Sequence, residues 1–322
     1  MISSPDTLQT EHFCTLFDHK FLPMGLNLHA SLVQHTKNFE LWILCIDDLV
    51  EQQLKLINLP YVKLISIAEI ETEKLLEVKK ERSRGEYCWT LTPFIFSAIF
   101  ERQPEIKRLT YLDADLFFFR DPKILLDEFT ESDRDVLVTE HAFAPKYEQS
   151  HIAGKFCVQF LTFKNTSPAY EVLTWWQKKC LKWCFGRLED GKFGDQKYLD
   201  VWPEIFPGKI WILQQKENTM APWNVKYFYR NLGEDHKPVF FHFHGFRIIE
   251  KNKFLLYIIY QIGHKGLILY QAYLEQMKKT FQIMDHHNLS IPILPFKLQS
   301  YPLSIIDLAK LFLLRSIKFI SL

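Results

Sequence analysis

The chain has almost no surplus of charge: 39 Lys and Arg against 38 Asp and Glu leave a formal net charge of +1. A basic field that could track a phosphate backbone is missing, and no Cys/His finger spacing occurs, which argues against nucleic acid as a partner. Glycine is scarce, 11 residues in 322, and neither G-x-G-x-x-G nor G-x-x-x-x-G-K-[ST] appears. That removes the dinucleotide fingerprint and the P-loop as ways of cradling phosphate. The six cysteines follow no framework spacing. Cys14, Cys45 and Cys157 sit in apolar runs as reduced thiols, and Cys180 and Cys184 lack the second pair that a zinc site needs. The segment MISSPDTLQTEHF has neither the cationic nor the apolar part of a signal peptide. No apolar run reaches about 18 residues, so no spanning helix is expected. The cytoplasm is the expected compartment.

What is present is core-forming material: 48% hydrophobic and 15% aromatic residues, enough for one large α/β domain with an appendage or for two ordinary domains. The first 120 residues alternate strand and helix patterns. Residues 12–17 read as a strand, 22–35 as a helix, 41–46 as a buried strand, 49–58 as a helix and 62–67 as a strand. A charged stretch, 69–86, reads as a solvated helix or a lid. Thr92-Pro93 opens a helix over 94–101, with proline near its start. A fourth strand then runs into Asp113 and Asp115. Further strands fall at 135–139, 156–163, 209–213 and 239–244, and an aromatic helix at 169–184. This alternation predicts a doubly wound, mostly parallel sheet. Asp18, Asp47-Asp48 and Asp113/Asp115 all end strands, and in a parallel sheet those ends share the edge where ligands bind.

The stretch IKRLTYLDADLFFFRDP, residues 106–122, is the most informative. Two carboxylates one residue apart lie between apolar runs, and buried carboxylates are costly without compensation. A hard divalent cation such as Mn²⁺ or Mg²⁺ suits them. The plainer alternative is a pair that solvates a strand-to-loop turn. In FFHFHG, residues 240–245, alternation puts His242 and His244 on one face, and imidazole is a good partner for carboxylates on Mn²⁺.

TLFDHKFLPMGLNLHASL, YLDADLFFFRDP, GDQKYLD and HFHG, in that order over roughly residues 11–250, resemble the glycosyltransferases of the GT-A fold. They are most similar to family 8, with glycogenin and bacterial lipopolysaccharide galactosyltransferases among its members. The resemblance implies a Rossmann-like nucleotide-diphospho-sugar transferase fold over 1–250, with 251–322 as a C-terminal helical appendage. It implies that Asp113, Asp115 and His242 hold Mn²⁺ (or Mg²⁺) against a nucleotide diphosphate, with Gly245 as the motif glycine. Asp18 and Phe21 match the positions that seat the nucleobase, with Lys20 in place of a usual amide. Asp195 and Gln196 match the catalytic pair near the reacting sugar. Three departures stand out. Cys157 and Gln159 replace the asparagine and glycine of an F-N-x-G strand. No K-P-W follows H-x-x-G, which leaves Arg247 as the nearby cation. The family's donor-sugar arginine is absent, with Arg82 and Arg84 just upstream of its place.

The implied partners are a nucleotide-diphosphate sugar donor and a saccharide or lipid-linked acceptor, with transfer under retention; inversion would instead require a carboxylate base, for which Asp195 is the candidate. Two alternatives stand beside this reading. One is a catalytically inactive nucleotide-sugar-binding protein of the same fold. The other is a haloacid-dehalogenase-type phosphohydrolase, which also uses D-x-D but normally on its first strand. Residues 302–322 read as an amphipathic helix, with Asp307, Lys310, Arg315, Lys318 and Ser321 on one side of a wheel at about 100° per residue. It is either a core helix or a peripheral contact with the inner face of the cell membrane.

Overall fold

In the computed structural model, residues 10–233, 235–257, 259–294 and 318–321 are described. The first half contains β1 (Glu11–Phe17), α1 (Leu22–His35), β2 (Phe39–Cys45), α2 (Asp48–Ile57), β3 (Val62–Ser66), α3 (Glu73–Lys79), α4 (Arg84–Arg102), β4 (Arg108–Leu112), β5 (Leu116–Phe118), α5 (Lys123–Thr130), β6 (Val136–Glu140) and α6 (Ser150–Ala153). There follow β7 (Phe156–Lys164), α7 (Ser167–Lys182), α8 (Trp202–Ile205), β8 (Ile210–Ile212), β9 (Thr219–Met220) and α9 (Val225–Leu232). β10 (Phe240–His242), β11 (Arg247–Glu250), β12 (Lys253–Tyr257), α10 (Gly263–His286) and β13 (Lys318–Ser321) complete the set.

Seven strands form the central sheet in the order β3-β2-β1-β4-β7-β6-β8. Every pairing is parallel except the two made by β7. The strands are apolar on both faces because helices cover both. α4 and α7 bury one face with Leu91, Ile95, Phe96 and Trp176, and α1, α2 and α5 the other with Leu26, Leu32, Val50 and Phe129. Such two-sided burial is the rule for parallel sheets. α1 lies so close on β1 that a Cβ at Gly25 would collide with the ring of Phe17.

Loop chemistry fixes the helix starts. Asp47 accepts from the Val50 amide at 2.8 Å to cap α2, as a strand-end aspartate does well. α4 differs from the expected helix over 94–101. It starts at Arg84 on a Ser83/Glu86 capping box and carries Pro93 in its interior. The proline costs one backbone hydrogen bond, which the buried Tyr87, Leu91, Ile95 and Ile99 outweigh. The charged stretch before it contains α3, whose only buried residue is Leu75.

Two smaller sheets are present among the described residues. β10 pairs antiparallel with β5 and parallel with β9. β11, β12 and β13 form an antiparallel sheet. α10 docks on α1: Asn27 Nδ2 donates to the Tyr273 carbonyl at 3.3 Å, and Thr280 Oγ1 to Asn27 Oδ1 at 2.6 Å. The expected helix over 302–322 falls mostly outside the described residues, but Lys318–Ser321 is a strand, not helix. It pairs with the edge of β12, whose backbone groups would otherwise lack partners there.

Candidate active site

Strand pairing brings together three side chains far apart in sequence. The Asp113 amide leaves β4 by donating to the Gln159 carbonyl on β7 at 3.0 Å, and the Leu116 amide donates to the Asp113 carbonyl at 3.1 Å. This turn points both aspartates toward β10. There His242 is opposite Leu116 in the register, and the Phe243 amide donates to the Asp115 carbonyl at 2.9 Å. His242 Nε2 then lies 3.0 Å from Asp115 Oδ1 and 3.7 Å from Asp113 Oδ2. One ligand atom from each residue falls within 4.8 Å of the others. Gly245, just beyond, has φ +82°, a conformation glycine adopts without strain.

The chain turns this imidazole deliberately. His242 is 4% exposed and its Nδ1 is 2.6 Å from Oε1 of Gln159, itself 1% exposed. An amide oxygen only accepts, so Nδ1 carries the proton and Nε2 faces the carboxylates. Burial alone would lower the pKa of His242, yet the Asp115 carboxylate raises it well above the ordinary value. Burial, opposed by His242 and reinforced by Asp115, pushes Asp113 up to about 7. Asp115 is held down at about 2, because charge and hydrogen bonding from His242 outweigh its burial. Two carboxylates and an imidazole share protons here that a cation would displace.

The cluster opens into a cavity of 640 Å³ whose lining includes Asp18, Phe21, Arg84, Asp195, Gln196 and Arg247. Asp18 Oδ1 accepts from the amides of Lys20 and Phe21 at 2.9 and 3.2 Å, and its Oδ2 lies 2.7 Å from Arg84 Nε. Arg84 also pairs with Asp47, which in turn meets His19 Nδ1 at 2.7 Å. Asp195 is 5% exposed, and burial followed by the nearby charge of Asp113 raises its carboxyl well above the usual range. Its carbonyl accepts from Trp176 Nε1 at 2.9 Å, which fixes the backbone. Gln196 Nε2 donates to the Ala153 carbonyl at 2.8 Å, so its oxygen remains available. His244 lines the cavity but stands outside the three-residue cluster.

The family model of glycosyl transferase family 8 matches residues 12–246. This chain belongs to that family. The Bacillus subtilis (strain 168) protein YfnF, itself uncharacterised, is 32% identical over 258 residues, covering 76% of this chain and 84% of YfnF. YfnD of the same organism, likewise uncharacterised, is 29% identical over 290 residues, covering 84% and 90%. Among solved structures, the galactosyltransferase LgtC in complex with donor and acceptor sugar analogs superposes with a TM-score of 0.50 at 12% identity, over 83% of this chain and 95% of LgtC. The glycosyltransferase GlyE of Streptococcus pneumoniae TIGR4 gives 0.50 at 13% identity, over 90% and 67%. At such identities the likeness is one of fold, and that fold is GT-A.

The glycosyltransferase assignment sets aside the phosphohydrolase alternative, as does the position of its D-x-D after the fourth strand of the sheet. Several cavity residues of this glycosyltransferase escaped the sequence reading. His141, Trp89, Phe193, Trp223 and Tyr260 all line the space, and Trp223 meets the His242 ring edge-on at 5.6 Å. Nothing local distinguishes these aromatics from core residues. Gln159 did leave a signal: an amide inside the otherwise apolar run FCVQFLTF must find a partner, since buried polar groups are nearly always hydrogen-bonded.

Proposed function

We propose that this glycosyltransferase moves a sugar from a nucleoside-diphosphate donor to a hydroxyl of a saccharide or lipid-linked acceptor, with retention at the anomeric carbon, using Mn²⁺ or Mg²⁺ held by Asp113, Asp115 and His242. The observation that carries the reading is the convergence of these three side chains at the floor of the large cavity. The donor set fits a divalent cation. It offers hard oxygens with one imidazole, the Gln159 hydrogen bond keeps a proton on Nδ1 so that Nε2 is the nitrogen left for a cation once its own proton is displaced, and a carboxylate–histidine arrangement of this kind normally carries such an outer partner. A cation bound there supplies positive charge against the diphosphate leaving group.

The chain's own residues supply the rest. Arg247 adds a cation on the diphosphate side. Phe21 offers a ring face to the nucleobase, beside the Asp18–Arg84 pair. Asp195 and Gln196 bind hydroxyls of the transferred sugar or of the acceptor and hold the two in line. The sugar C1–O bond to the phosphate breaks and the C1–O bond to the acceptor forms. The acceptor proton leaves on the departing phosphate oxygen, so retention needs no strong protein base. In this reading residues 1–250 form the transferase domain and 251–322 the appendage.

Mn²⁺-dependent turnover of a panel of nucleotide sugars is the direct test. Hydrolysis or transfer of at least one donor, abolished by chelation and by Asp115→Asn, is the expected result. Nucleotide binding indifferent to both would overturn the reading. No helix among the described residues is long and apolar enough to cross a membrane. The proposal extends to a cytoplasmic enzyme working in surface polysaccharide or lipid-linked saccharide assembly and reaching the inner face of the membrane through residues 302–317. Lys310 and Arg315 among apolar neighbours support that contact, and co-sedimentation of the full chain with anionic vesicles tests it.

A further inference from the structure

A second cavity, of 430 Å³, lies behind one wall of the active site. The wall is Trp223, which lines both spaces. It is 4% exposed, and its Nε1 donates to the His141 carbonyl at 2.6 Å. Its ring meets His242 edge-on at 5.6 Å, so the second cavity is one indole away from the Asp113–Asp115–His242 cluster. Tyr147 continues the wall: its ring packs on that of Tyr260 at 5.2 Å, and its hydroxyl accepts from the Gln261 amide at 2.9 Å.

The chemistry of this second space is one-sided. Lys146, Lys226 and Arg230 line it, and among the described residues no carboxylate does. Lys226 and Arg230 stand four apart on α9, an arrangement in which like charges repel. Neither they nor Lys146 form an ion pair with any described residue; Lys226 Nζ meets only the amide oxygen of Gln261, at 3.3 Å, and Lys146 lies over the Tyr147 ring. Lys123 and Lys216, by contrast, each have a carboxylate partner, Asp127 and Glu140. An unmatched trio around a concavity walled by Trp223, Tyr147 and Tyr227 is complementary to an anion attached to a ring-shaped, partly apolar body. Arginine and lysine together favour phosphate oxygens, and aromatic faces offer apolar area with polar tips.

We propose that this cavity is an acceptor subsite, and that the acceptor is a saccharide bearing a phosphate ester, bound by Lys226, Arg230 and Lys146. The proposal rests on the transferase reading above, because a site one indole from the reacting centre serves an acceptor only if transfer occurs there.

The test titrates the full chain, free of metal and nucleotide, with glucose 6-phosphate and in parallel with glucose. Saturable binding of the phosphate ester alone is expected, weakened at least tenfold in Lys226→Ala/Arg230→Ala and unchanged in Arg247→Ala, with circular dichroism confirming that each variant is folded. A Lys226→Gln/Arg230→Gln pair repeats the measurement should the alanines disturb α9. Equal affinity in wild type and double variant overturns the proposal. So does loss on Arg247→Ala instead, or glucose binding as well as its phosphate. Phosphatidylglycerol vesicles that bind through Lys226 and Arg230, while glucose 6-phosphate does not, would assign the surface to lipid and also overturn it. Metal and nucleotide are absent, so a failed transferase reading, scored separately by Mn²⁺-dependent donor turnover, leaves this result interpretable.

Discussion

Replacing Gln159 by methionine isolates what the amide does for the Asp113–Asp115–His242 cluster. The side chain is 1% exposed, and methionine fills nearly the same volume, so packing is kept while the acceptor at 2.6 Å from His242 Nδ1 is lost. The ring then has two choices. It can keep its proton on Nδ1 without a partner, or move it to Nε2 and donate to Asp115 Oδ1, already 3.0 Å away. The first leaves a buried donor unsatisfied, which costs about 1–3 kcal/mol. The second removes the lone pair a cation needs, and undoing it costs a similar amount. The second choice lowers Mn²⁺ affinity, by about 10- to 100-fold, the range typical of outer partners of metal-bound histidine. Gln159→Glu keeps an acceptor oxygen and retains the affinity. The assay is a titration of free Mn²⁺ by electron paramagnetic resonance, with thermal melting of the metal-free chain as a folding control. A folded Gln159→Met protein with unchanged Mn²⁺ affinity would refute the positioning role.

Further expectations come from the same cluster. Asp115→Asn removes a carboxylate from beside His242 and lowers turnover by about 10²–10³-fold, with Mn²⁺-dependent nucleotide binding weakened in calorimetry. Asp195→Asn lowers kcat by about 10²-fold or more and leaves donor affinity nearly unchanged; weaker binding with normal turnover at saturation would take Asp195 out of the reaction. Asp113 titrates near 7 and His242 above its ordinary value. At acidic pH a cation must therefore expel a proton from each, and above about pH 7 the Asp113 proton is already gone. Mn²⁺ affinity accordingly rises with pH, by about tenfold per unit for each proton displaced, and the slope eases above neutrality; a flat profile across calorimetric titrations would contradict the shared-proton cluster. Ending the chain at residue 317 strips β13 from β12, and scanning fluorimetry is expected to show a midpoint lower by about 2–4 °C.

The fold was legible wherever one local signal dominated. Continuous apolar runs such as LWILCI are short enough to read as strands covered on both faces, and their alternation with helical periodicity pointed to the parallel sheet. Where two signals competed, the local one was misleading. Pro93 looks like a helix start, but the capping box at Ser83 and Glu86 lies ten residues earlier, inside a stretch whose charge suggests solvent rather than helix. Residues 318–321 carry helical-wheel amphipathicity as part of 302–322, yet KFIS pairs with the edge of β12. That edge is created by tertiary structure and leaves no trace at positions 318–321 themselves.

The site divides along the same line. Strand-end carboxylates, the GDQ stretch and the HFHG turn stand out in the sequence because each combines an unusual residue type with a strand or turn end, and Asp18, Asp113, Asp115, Asp195, Gln196 and His242 do line one cavity. The residues that orient and wall them were not, because a buried tryptophan lining a cavity reads the same as one filling a core. Position 159 shows how far a motif departure can mislead. With Cys157 and Gln159 in place of asparagine and glycine, the strand looks like one that has lost a family feature, and a lapse of function is the easy conclusion. Geometry gives the amide a different meaning: it reaches across from β7 to β10 and sets which nitrogen of His242 faces Asp113 and Asp115. A glycine there could not do this. The departure therefore changes how the histidine is held and is no evidence that the cluster has been abandoned.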